Sequence, residues 1–182
     1  MKTSRMLAVA VAAMGLLGSL ASQADDSKRT VGEYADDKVL HTKVWAALTE
    51  DKTADASEIN LEIYKSVVQL NGFVDNEKEK AQAESVAKAV SGVKAVQNNL
   101  LIKEAAQTTG GAIDDTTITA KVKSALVDSS DTKAGDIKVE TRGGVVLLSG
   151  FVANEAEKAA ATRVAQSVDG VKSVNNSISV RN

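Results

Sequence analysis

His41 is the single histidine of the chain, and there is no cysteine. A lone imidazole cannot assemble a histidine metal cluster, and without thiols there are no zinc-thiolate sites, thiolate nucleophiles or disulfides. The carboxylates show no convergence in the sequence. Glu77, Glu79 and Glu84 are interleaved with Lys78, Lys80 and Lys88, a spacing that gives ion pairs on a solvated helix face and assigns these side chains to solubility. There is no glycine-rich phosphate loop, nucleophile elbow or cysteine-histidine pairing. The reading is therefore non-enzymatic, with no catalytic, cofactor-binding or metal-binding residues. The local feature that stands out is a stripe: Lys38, His41 and Trp45 are three and four residues apart, and Trp45 is the only tryptophan. Such spacing puts all three on one side of a helix. An indole with polar neighbours suits a lipid headgroup interface, which makes the stripe a candidate membrane or partner contact. The competing expectation is that the indole packs against its own domain or the linker.

The elements that position this stripe are set by a repeat. A shift of 78 residues pairs Asp36–Lys103 with Asp114–Arg181 without a gap, and 29 of the 68 paired positions are identical. Most matches are small or apolar, which reports a shared fold more than a shared chemistry. Leu40, Val44, Ala47 and Leu48, and again Ile118, Val122, Ala125 and Leu126, recur at helical spacing, so each copy opens with an amphipathic helix. Asp36 or Asp37, and Asp114 or Asp115, are candidate caps. Ile59, Leu61 and Ile63, then Val68, Leu70, Gly72 and Val74, alternate as a β-hairpin does. Its turn is Gly143-Gly144 in the second copy, suited to positive φ, and the poorer Lys65-Ser66 in the first. A second helix carries Ala83, Val86, Ala87 and Val90, and a last strand carries Val96, Asn98, Leu100 and Ile102.

The order α-β-β-α-β, twice, is an α+β fold with two helices on one face of a three-stranded mixed sheet in each copy. The alternate strand positions are largely polar (Asn60, Glu62, Gln69, Asn71, Gln97, Asn99), so the other sheet face is expected to be open. Phe73 and Phe151 fall on that face, placed either to join the two domains or to form an external binding patch.

The paired pattern Val-x-Leu-x-Gly-Phe-Val, followed by Val-x-Gly-Val-x-x-Val-x-Asn, resembles the BON domain, and the resemblance covers both copies. Gly72, Gly92, Gly150 and Gly170 match the family's glycines and are expected to serve the backbone, not a ligand. The resemblance implies two tandem BON domains in a periplasmic protein of the osmotic and envelope stress response. Its implied partners are a phospholipid membrane surface, bound peripherally, or unfolded exported proteins, held as a periplasmic chaperone (holdase) would; a protein-protein adaptor is the remaining alternative.

Composition agrees with such a setting. Residues 1–24 read as a signal peptide: Lys2 and Arg5, an apolar run from Met6 to Leu20, and small residues at Ser22 and Ala24. Residues 25–35 read as a polar N-terminal segment, 36–103 as the first domain, 104–113 as a flexible linker with Gly110-Gly111, and 114–182 as the second domain. Removing the leader takes away Lys2 and Arg5 from 22 basic residues against 24 acidic ones, leaving a mature charge of about −4. No basic block is present, which argues against nucleic acid, and domains this small leave little core for a deep small-molecule pocket.

Overall fold

The computed structural model of the protein describes residues 30–103 and 112–181. The leader, residues 25–29 of the polar segment and residues 104–111 of the linker lie outside the described residues. The first copy runs α1 (Val31–Glu50), β1 (Ile59–Tyr64), β2 (Val67–Val74), α2 (Glu77–Ala89) and β3 (Ala95–Ile102). The second runs α3 (Ala112–Asp128), β4 (Ile137–Arg142), β5 (Val145–Val152), α4 (Glu155–Gln166), β6 (Ser173–Asn176) and β7 (Ser179–Val180). In each copy the hairpin is antiparallel and the last strand joins the central one in parallel, giving two mixed sheets. The parallel crossover through a helix places α2 and α4 on the same sheet face as α1 and α3.

The apolar stripe of α1, Leu40, Val44 and Leu48, packs with Val68, Leu70 and Val74 of β2, Leu100 of β3 and Ala83 and Ala87 of α2. The second copy repeats this core around Ile118, Val122, Leu126, Val146, Leu148, Val152, Ala161, Ala165 and Ile178. Small alanines on α2 and α4 let the helices approach the sheet closely.

Several boundaries differ from the sequence reading. The first helix begins at Val31, inside the segment read as a polar lead-in, because Thr30 and Glu33 form a capping box: the Glu33 N–H donates to Thr30 Oγ1 at 3.1 Å and the Thr30 N–H to the Glu33 carboxylate at 2.8 Å. The third helix likewise starts at Ala112, two residues inside the expected linker. The last strand of the second copy is interrupted after Asn176, where Ile178 N–H turns to the Asn176 side chain.

Asp37 and Asp115, two of the four candidate caps, have another role. Asp37 is buried on the inner side of α1, where its two carboxylate oxygens accept the N–H groups of Lys65 and Ser66 at 2.9 and 2.8 Å. Asp115 holds Gly143 and Gly144 in the same way, at 2.7 and 2.8 Å. Each first helix therefore clamps the hairpin turn of its own domain. The turn has the left-handed geometry in both copies, with φ of 49° and 66° at Lys65 and Ser66 and of 59° and 81° at the two glycines. Side chains pay about 1 kcal/mol or more per residue there, so the first copy leans harder on its clamp.

Glu79, assigned to solubility, is also buried: its oxygens accept the N–H of Asp55 at 3.1 Å and of Asp75 at 2.9 Å. Glu157 does the same for Lys133 and Ala153. Glu77 remains exposed, and Glu84 pairs with Lys88 while accepting from Asn98.

Gly72 is required by a close approach. Its φ is +137°, and a Cβ built on it would lie 2.1 Å from the Glu58 carbonyl oxygen, with the same collision at Gly150 and Asp136. Ala at Gly72 should destabilise the chain by on the order of 4 kcal/mol, read from urea unfolding. Asp37→Ala should cost about 3 kcal/mol, and Asp115→Ala roughly 1 kcal/mol less because glycines relieve the turn; equal losses would contradict the clamp. Burial holds the Glu140 carboxyl above its usual range, partly offset by Lys123. A raised folded pKa penalises the charged form, so Glu140→Gln should gain stability at neutral pH, and the gain should vanish as pH falls below the ordinary carboxylate value.

Candidate functional site

The two domains meet through their sheets. The face expected to be open in the first copy lies against the equivalent face of the second, so helices form the two outer layers and the strands the two inner ones. Gln69 has no exposed surface and Asn71 almost none (1%). Phe73 is 7% exposed and packs with Leu147, supported by Leu101 and Val145. Phe151 is 8% exposed and stacks on Tyr64 of the first domain, ring centroids 5.3 Å apart, with the Arg181 guanidinium over the other aromatic partner, 5.7 Å from the Tyr64 centroid. An ion pair between Lys138 and Glu62, 3.6 Å apart, spans the rim, exposed enough to contribute little. The reading of Phe73 and Phe151 as an external patch is thereby set aside, and with it the open sheet face as a surface for unfolded clients. The alternation placed both rings on the correct face, but nothing in it distinguishes a face that water covers from one that a second sheet covers.

The helix stripe has the opposite fate. Lys38 and His41 are exposed and Trp45 is 40% exposed. Among the described residues five large hydrophobic side chains are exposed, and four of them, Val31, Tyr34, Val39 and Trp45, are on α1. Tyr34 extends the stripe by a turn in the N-terminal direction, and the Lys38 ammonium lies over its ring, 5.3 Å from the centroid, a cation-π contact. Tyr34 lies in the segment that composition reads as a polar lead-in before the first domain; the Thr30-x-x-Glu33 capping signature is the signal that marks it as helical. A small notch of about 100 Å³ runs beside the stripe, lined by Tyr34, Asp37, Lys38, His41, Glu62 and Ile63. Glu33, in the first turn, is held below the usual carboxylate range by its hydrogen bonds to Thr30, with Lys65 and Lys94 adding to the effect. These lysines bring positive charge to the N-terminal end of α1.

The equivalent stripe on α3 has lost these features. The counterparts of Lys38, His41 and Trp45 are Thr116, Thr119 and Lys123, and Thr119 donates to Thr141. The site is thus a property of the first domain alone.

Asp55, Glu58 and Glu79 bring carboxylate oxygens within 4.8 Å of one another, a convergence the sequence reading did not find. Its geometry is already explained by the protein. Both Glu79 oxygens hold backbone N–H groups, Asp55 accepts from Ser57, and Glu58 pairs with Lys103. In the second copy Lys133 replaces Asp55, while Arg181 and Asp136 keep the Lys103–Glu58 pair as a 2.8 Å contact. Gly92 and Gly170, between the second helix and the last strand of each copy, have φ of +103° and +94° and lie against Leu40 and Ile118 of the core.

Comparison with known proteins agrees with the duplicated architecture. The chain is similar to the osmotically-inducible protein Y of Escherichia coli, 35% identical over 164 residues that cover 90% of this chain and 82% of that protein. It is 34% identical to the outer membrane lipoprotein DolP of Haemophilus influenzae over 158 residues, 86% of this chain and 81% of the relative. A 21 kDa hemolysin of Actinobacillus pleuropneumoniae is 32% identical over 147 residues, 80% of this chain and 75% of the relative. The BON domain model matches twice, over residues 36–104 and 114–182. With a mixed sheet and two helices built by each of those segments, the chain belongs to the BON domain family.

Proposed function

We propose that this is a non-catalytic envelope protein of the periplasm, exported by the leader at residues 1–24, which attaches peripherally to phospholipid surfaces through α1 of its first domain. The observation that carries the proposal is the concentration of exposed apolar and aromatic side chains on that one helix, with Lys38 and His41 between them. Apolar side chains left in water at a helix surface, rimmed by polar groups, mark an interaction surface. Tyrosine and tryptophan are favoured where an apolar layer meets water, and Lys38 supplies the charge that anionic headgroups would meet. The names of the relatives support the setting: one is osmotically inducible and another is a lipoprotein of the outer membrane. None of the described helices is long and apolar enough to cross a membrane, as a peripheral mode requires. The net negative charge of the chain opposes binding to anionic lipid at long range, so attachment must be local and dependent on the stripe.

The mature chain should float with vesicles containing anionic phospholipid, less so with neutral ones, and release as salt rises. Trp45 emission should shift to the blue on binding. Trp45→Ala should weaken attachment by about tenfold, equivalent to ~1.4 kcal/mol, while leaving thermal unfolding nearly unchanged. Absence of both flotation and an emission shift would remove the lipid reading in favour of a protein adaptor.

A further inference from the structure

Gln69 lies at the centre of the contact between the two sheets and makes bonds that a side chain seldom makes. Its Oε1 accepts the Gly150 N–H at 3.1 Å, and its Nε2 faces the Gly150 carbonyl at 3.3 Å, Ser179 Oγ at 2.8 Å and Gln97 Oε1 at 3.0 Å. Holding both the N–H and the C=O of one residue is what a neighbouring strand does; here an amide side chain from the other domain does it.

Gly150 offers that peptide because of a difference between the copies. In the first domain β3 runs unbroken past Leu100, which stands in register with Gly72. In the second, the residue at the equivalent place is Ile178, in the gap between β6 and β7, and the parallel pairing of β5 stops at Leu148 with β6 and resumes at Phe151 with β7. Gly150 keeps its place opposite Ile137 in β4, but beside this gap its N–H turns to Gln69 of the other sheet. The repeat shift turns Gln69 into Leu147 and Ser179 into Leu101, and those two occupy the apolar part of the same contact, beside Phe73. One half of the interface is therefore polar and the other apolar, built from the same repeat positions.

We infer that Gln69 selects how the two domains dock: it recognises the Gly150 N–H, which lies beside the break between β6 and β7 in the second copy and has no counterpart along the unbroken β3 of the first. Two first domains from separate chains, brought together in the same way, would set Gln69 against Gly72, whose neighbour in β3 is in place. A buried amide without its partners is strongly unfavourable. The glutamine thus favours pairing of unlike domains and stands against pairing of like ones.

The test uses the full mature chain with Gln69→Leu, the residue that the repeat carries at position 147. Hydrogen exchange at the Gly150 N–H should accelerate about tenfold or more, while Leu70 and Leu148 in the two cores keep their protection. The two domains should also lose their common rotational diffusion in nuclear relaxation. Unchanged Gly150 exchange together with common tumbling would overturn the inference. Should the variant lose its circular dichroism, Ser179→Ala takes its place: faster Gly150 exchange supports the inference, and unchanged exchange overturns it.

Discussion

A three-stranded sheet with helices on one side leaves its other side to be covered, and in this chain each copy of the domain covers the other. That burial explains features of the sequence that a single copy does not. Gln69, Asn71 and Ser149 are polar positions with almost no exposed surface, and buried polar groups need partners; Gln69 finds them across the interface. Phe73 and Phe151 would be exposed rings in an isolated domain and are nearly enclosed here. With the sheets committed to one another, the outer surface is helical, and any contact with a membrane or another protein is made by helices, loops or strand edges.

The same constraint explains how two copies of one fold can differ in purpose. Core positions match because both domains need the same clamp from helix to hairpin, Asp37 in one and Asp115 in the other, and the same crowded glycine at Gly72 and Gly150. Outward positions of the first helices are under no such demand. There the first copy keeps Lys38, His41 and Trp45, and the second has Thr116, Thr119 and Lys123. Divergence has gone where packing permits it.

Much of the fold was legible because periodicity reports burial. Helical spacing in Leu40, Val44 and Leu48, and strand alternation around Gly72, gave the elements and their inward faces, and the gapless repeat gave the division into two units. What escaped has physical reasons. A charged residue on the inner side of a helix, such as Asp37 or Glu79, reads as surface until the backbone N–H groups it holds are seen. The start of α1 was missed because polar residues at 25–30 resemble a linker, although Thr30 and Glu33 form a capping box. The covered sheet face was legible only as one of two alternatives for Phe73 and Phe151: Gln69 and Asn71 look solvated by type, and only the second domain makes them interior. Of the candidate contact residues, the sequence grouped Lys38, His41 and Trp45 on the stripe they occupy, and it placed Phe73 and Phe151 on the right face without telling what meets it.

The central claim is that the two domains form one body through their sheets. The absence of cysteine makes a direct distance measurement clean: Ala81→Cys and Ala159→Cys place one spin label on the exposed side of each second helix, and pulsed electron resonance reads their separation in the full chain. A single narrow distance distribution is predicted. A broad one, as two domains moving independently on a tether would give, would contradict the account.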